Sequence, residues 1–297
     1  MENIIYRGVL TKTAERSFLA GDNGSRHLED EKIWSGYLTH WSGKKVCARR
    51  LPQKDYDTGR PLLILWPDEP ALTPPFVEIY FNERLVKYPL SFLGHLAVLA
   101  DGKVFNFSHW MNENEAMNPE EYFFRPALGE FAPDPASGRD NTENPQRPYY
   151  DKFGRLFMRT IHVLRISGLD TRRLSGFFFA ELEKIRGTPT DPKEPGKYRD
   201  FHILTRSCAT IIRDGFHSLG FEKIRGVFPR DLFVSMAYFF LKQHRLPNAQ
   251  ASLHTLRQLQ VPEAAPSAMP PLLNPRNRFR FRTLRKNIMP DTPGIYG

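Results

Sequence analysis

Cysteine is almost missing from this 297-residue chain: Cys47 and Cys208 are the only two. Two thiols cannot build a disulfide framework or a four-thiolate zinc site, and the count suits a protein made in a reducing compartment. No cluster of His, Cys, Asp and Glu stands at zinc-ligand spacing, so neither a metal nor a cofactor is expected. A phosphate-cradling loop is also lacking, because "GDNG" (21–24) has no Lys-Ser/Thr after it and opens no clear helix. The longest apolar run, "LFVSMAYFFL" (232–241), is about half of the ~20 residues a membrane helix needs, so no membrane span is expected. "MENIIYRGVLTKTAERS" carries no basic segment followed by an apolar core, which points to synthesis in the cytoplasm without a signal peptide. No internal repeat is visible.

What the chain does have is apolar material and positive charge. Hydrophobic residues make up 40% and aromatics 13%, enough to bury a core, and the length allows one large domain or two ordinary ones. Lys and Arg number 42 against 33 Asp and Glu, a net charge of +9. Such an excess fits an anionic partner (nucleic acid, a membrane surface or an acidic polymer such as bacterial cell wall), or simply a solvated basic surface.

Residues 1–88 read as a β-rich N-terminal unit, a small barrel or sandwich for binding or docking. "IWSGYLTHWSGKKVCARRLP" reads as a hairpin, "PLLILWP" (61–67) as a strand, and "FVEIYFNERLVKYP" (76–89) as a hairpin turning at Asn82-Glu83. Cys47 lies inside one of these strands as a small packing residue. A second unit, 89–260, holds a hairpin at 93–110, an insertion at 111–148, a strand at 161–169 and a helix at 171–187 capped by Thr171 and stopped by Gly187. It continues with a strand at "FHILT" (201–205), a helix at 207–219 and a helix at 228–245 opened by Pro229. Residues 261–297 form a Pro/Arg-rich basic arm, extended or partly disordered. Its "RNRFRFRTLRK" (276–286) fits a polyanion or a solvated tail.

Two stretches carry candidate chemistry. Cys208, Ile211, Ile212, Gly215, Phe216 and Leu219 fall on one stripe at helical period, with Cys208 in the first turn behind the capping candidates Thr205 and Ser207. Free amides and the dipole there favour a thiolate, although the stripe equally suits a buried structural thiol. In "GHLAVLADGKVFNFS", a two-residue turn at Asp101-Gly102 sets His95 opposite Ser108, with Asn106 diagonal on the same face. A histidine with an asparagine so placed is a base with its orienter; the plain alternative is a half-buried histidine satisfied by its neighbours.

"GHLAVLADGKVFNFS" resembles the His-bearing hairpin of papain-like NlpC-type cell-wall peptidases, and "SCATIIRDGF" is similar to their nucleophile segment. Because His95 precedes Cys208, the order resembles the circularly permuted branch, which includes the lecithin retinol acyltransferase group. "FPRDLF" (228–233) is similar to a Pro-Asp-Leu step of permuted members. Ser207 stands where permuted relatives often have Asn. The resemblance, over about 90–240, implies an α+β class with a papain-like antiparallel sheet packed on helices, preceded by the small β-rich domain. It implies Cys208 as nucleophile, His95 as base and Asn106 as orienter, with Ser108 or His109 as alternative orienters. The oxyanion would be held around Ser207 and the Cys208 amide. The implied activity is hydrolysis of amide bonds in cell-wall peptide by an antibacterial effector. Such an effector would be exported by a specialised secretion system to a target-cell periplasm, with a carrier and a cognate immunity protein as partners. The alternatives are a lipid or acyl-ester hydrolase or acyltransferase of the same fold, and a non-enzymatic nucleic-acid or scaffold-binding protein.

Overall fold

In a computed structural model of the chain, residues 4–125 and 154–284 are described, apart from 14–15, 22–23, 29–30, 34, 56–57, 70–74, 87–90, 195, 244–249, 260 and 262–263. Most of the expected insertion (126–148), the last residues of the tail (285–297) and the end of the helix expected over 228–245 lie outside the described residues.

The class is α+β, with two main antiparallel sheets. The first has five strands, β1 (Ile5–Lys12), β2 (Ser17–Gly21), β3 (Gly24–His27), β4 (Lys45–Lys54) and β5 (Pro61–Pro67), in the order β3-β2-β1-β4-β5. Between β3 and β4 runs the helix α1 (Ser35–Trp41), where a strand is expected from sequence. Tyr37 and Trp41 explain the difference. Four residues apart, they share one helical face and are both fully buried, which alternation on a strand would also allow only by exposing Leu38 and His40.

The second sheet has six strands: β6 (Phe76–Asn82), β8 (His95–Ala100), β9 (Lys103–Asn106), β10 (Glu115–Met117), β11 (Ile161–Ser167) and β12 (Ala251–Leu256), ordered β10-β9-β8-β6-β11-β12. The hairpin expected at Asn82-Glu83 does not form. The short β7 (Arg84–Leu85) leaves the sheet and pairs with β13 (Ser267–Ala268), while β6 pairs with β8 and β11. Strand pairing therefore divides between Pro67 and Phe76, not at residue 88, because the apolar β6 fills an interior slot of the second sheet.

That sheet is covered on both faces, as the sequence of β8 requires. Leu96, Val98 and Ala100 face one core with Val77, Ile79 and Phe81. That core is roofed by α4 (Thr171–Arg186), α5 (Cys208–Ser218), α6 (Pro229–Tyr238) and α7 (Pro275–Leu284). Ala97 and Leu99 face the other core, shared with α2 (Pro119–Phe124), α3 (Arg155–Met158), α1 and the inner residues Leu63 and Leu65 of the first sheet.

Four further expectations change. The N-cap of α4 is Asp170, whose carboxylate accepts from the Arg173 N–H at 2.9 Å, rather than Thr171. "FHILT" is a tight turn closed between His202 and Arg206: among the described residues no strand pairs with it, and Ile203 and Leu204 stay exposed. The helix that begins at Pro229 passes at Phe239 into a wider turn over Phe239–Gln243. Finally, 275–284 of the basic arm is helical: Asp231 accepts from the N–H groups of Leu273 and Asn274 and from the Asn277 amide, at 2.9–3.1 Å, pinning this segment to α6.

Candidate functional site

The β8–β9 hairpin delivers the candidate base. Asp101 and Gly102 both adopt positive φ, 50° and 74°, the two-residue turn whose twist matches the flanking strands. The turn sets Ala97 opposite Asn106, which brings Asn106 diagonal to His95 on one face. Asn106 Oδ1 lies 2.6 Å from His95 Nε2. The Asn106 Nδ2 group donates to the Glu113 carbonyl at 2.7 Å, which fixes the orientation of the amide. Oδ1 can only accept, so Nε2 carries the ring proton and Nδ1 is left as the basic nitrogen.

The two other orienter candidates are engaged elsewhere. Ser108 Oγ accepts from the Trp110 N–H at 3.2 Å, and His109 packs against Trp110 and Phe201. Just before the base, Gly94 sits at φ +72°, and a Cβ there would come within 2.6 Å of the Asn82 carbonyl. Only glycine lets the chain enter β8 this closely.

Helix α5 delivers the candidate nucleophile. Ser207 is its N-cap, accepting from the Thr210 N–H at 3.4 Å, while the Thr210 hydroxyl accepts from the Ser207 N–H at 2.8 Å. The Ser207 hydroxyl thus belongs to a reciprocal cap that sets the start of the helix. Cys208 follows at the first helical position and is buried, with Ile211, Ile212 and Phe216 on the same stripe. The amides of Leu96, Ala209 and Cys208 itself pull its ionisation down. Burial outweighs them and pushes the thiol up to about 11. The thiolate that a helix start favours is therefore not the resting species: loss of hydration exceeds the pull of the amides.

His95 and Cys208 line one cavity of about 130 Å³. Burial, then the Arg155 guanidinium, lowers His95 to about 3, against the contrary pull of Asn106. Both thus rest neutral, a thiol and an unprotonated imidazole in the lining of one cavity. The cavity wall also carries Glu113, Arg155 and Arg159, together with Phe201 and Ile203. These residues escape a sequence reading. The only hint is the pair Arg155 and Arg159, four apart around the apolar "LFM" with no acid among them.

Cys47 occupies a different setting. It is buried in β4, its Sγ 3.3 Å from Asp68 Oδ1, and burial together with that carboxylate raises it to about 12. Among the described residues no group of three or more His, Cys, Asp and Glu is placed to hold a metal, and no helix is long and apolar enough to cross a membrane. Comparison with protein-family models, curated proteins and solved structures finds no match for this chain.

Proposed function

We propose that the chain is a papain-like cysteine hydrolase in permuted order that cleaves amide bonds of bacterial cell-wall peptide. The observation that carries this reading is the His95–Asn106 hydrogen bond of 2.6 Å on the wall of the cavity that also holds Cys208. An asparagine that can only accept at Oδ1 presents Nδ1 as a base, and the start of a helix presents a thiol beside convergent amides.

The chemistry starts from the neutral pair. Nδ1 of His95 takes the Cys208 proton as sulfur attacks the amide carbonyl carbon, and the Cys208 and Ala209 amides stabilise the oxyanion. The imidazolium returns the proton to the leaving nitrogen as the C–N bond breaks, leaving a thioester. Water, deprotonated by His95, then releases the acid and restores the thiol. The reaction needs transient charge on His95, so Asn106 serves both by fixing the tautomer and by accepting from the cation.

Digestion of muropeptides read by mass spectrometry tests the proposal, with the wild type and Cys208→Ala run in parallel. New amine and carboxyl termini are expected from the wild type, and Cys208→Ala should lose at least about three orders of magnitude in rate. Equal products from both proteins would refute it. A second reading, hydrolysis or transfer of an acyl ester, draws on Ile203, an exposed apolar side chain that lines the cavity, and on its exposed neighbour Leu204. Release of fatty acid in place of peptide termini would select that reading.

A further inference from the structure

We infer that Arg155 binds a carboxylate of the substrate next to the scissile carbonyl, so that the substrate class is an acidic peptide amide. The inference rests on the hydrolase reading above. Arg155 is buried, only 7% exposed, yet it lines the cavity shared by Cys208 and His95. Its guanidinium lies over the Tyr122 ring, 4.8 Å from the centroid, a cation–π contact that holds it on the cavity wall. No carboxylate among the described residues pairs with it. A buried cation without a counter-ion is costly, and a planar fork of donors matches a carboxylate in two-point contact.

The surroundings agree. Arg159, 1% exposed, stands on the same wall and donates to the Glu83 carbonyl at 3.4 Å, adding a second positive charge. Among the described lining residues Glu113 is the only acid, against Arg155 and Arg159, so the wall is net cationic. The cavity, with about 130 Å³ of space, has room for a carboxylate group. A carboxylate held there lies on the same side as the attacked carbonyl and fixes which amide reaches the sulfur.

The test compares alkylation of Cys208 by anionic iodoacetate and by neutral iodoacetamide, in which the thiolate displaces iodide, followed by peptide mapping. The ratio of the two rates cancels any change in thiolate fraction or access. Arg155→Gln should lower that ratio about tenfold or more, and Arg155→Lys, which keeps the charge but loses the planar fork, should fall between. An unchanged ratio in both variants overturns the carboxylate site while leaving the nucleophile standing. No labelling by either reagent overturns the nucleophile, and this inference with it. In a second arm, wild-type turnover of an acidic peptide should drop about tenfold or more in kcat/KM when the recognised carboxylate is amidated. Amidating terminal and side-chain carboxylates one at a time identifies which is bound, and no loss with either overturns the inference.

Discussion

Replacing Asn106 by alanine removes two short hydrogen bonds at once, one from His95 Nε2–H at 2.6 Å and one to the Glu113 carbonyl at 2.7 Å. Asn106 is fully buried, so both former partners lose their bond where water cannot readily replace it. Each unmet group costs about 1–3 kcal/mol, so the two together predict a loss of roughly 2–6 kcal/mol in urea-unfolding free energy. The chemical effect is separate. Without Oδ1 the imidazole is free to carry its proton on Nδ1, the nitrogen that has to accept from Cys208. Losing the net worth of one hydrogen bond, about 1–1.5 kcal/mol, corresponds to roughly tenfold in kcat/KM, with more if the ring also turns away. Asn106→Asp separates the two effects. It still accepts from Nε2–H but cannot donate to Glu113, and its charge raises the His95 pKa from about 3. Activity is lost as pH falls through the His95 pKa, because a protonated base cannot accept, so this variant should lose activity at a higher pH than the wild type. Muropeptide hydrolysis followed against pH reads both variants. An Asn106→Ala protein that is destabilised yet fully active would refute the reasoning and reduce the pair to packing.

Acid should destabilise the fold. His95 is lowered to about 3 and His40 to about 4 from an ordinary 6.5, and His254 is lowered too, all by burial first. Their unfolded forms bind protons before the native ones do, so stability present above about 6.5 is lost as pH falls toward 4. His95 alone accounts for about 2 kcal/mol at pH 5 in denaturant titrations. Equal stability at pH 7.5 and 5 would contradict this. Alkylation of Cys208 by iodoacetamide should keep accelerating with pH up to about 11, since the resting pair is neutral; a plateau from pH 5 would instead indicate a preformed thiolate. Gly215→Ala would place a Cβ 2.7 Å from the buried Phe178 ring, so α5 has to shift, at about 1–3 kcal/mol and with slower turnover at Cys208. Asp231→Ala should free the 273–277 segment, at about 2–4 kcal/mol, and limited proteolysis should then cut there; an unchanged digestion pattern would count against the pinning.

The hairpin was legible because Asp101-Gly102 dictates both turn and register, and from the register the placement of His95 and Asn106 follows by counting. The start of α5 was legible for a similar local reason, an apolar stripe behind a Ser cap. Longer-range features were not. β6 takes an interior slot of the second sheet because its neighbours β8 and β11 come from later in the chain, and the Asn82 amide at its end donates to the Tyr122 hydroxyl 40 residues away. "FHILT" has strand-forming side chains but pairs with no strand among the described residues, and "SGYLTHW" is too short for its period to speak clearly. Arg155 acquires meaning only through the cavity that distant elements enclose. The helical face of the basic arm depends on Asp231, which no local pattern announces.

The double covering of the second sheet bears on how truncations are interpreted. Leu63 and Leu65 of the first sheet pack in the same core as Tyr80, Ala97 and Leu99, the residues on the far side of the strands next to His95. Removing residues 1–75 would take α1 and the first-sheet side chains out of that core and leave α2 and α3 alone to back that side of β8. A dead N-terminal deletion would therefore report weakened backing of the candidate base as readily as a lost recognition module.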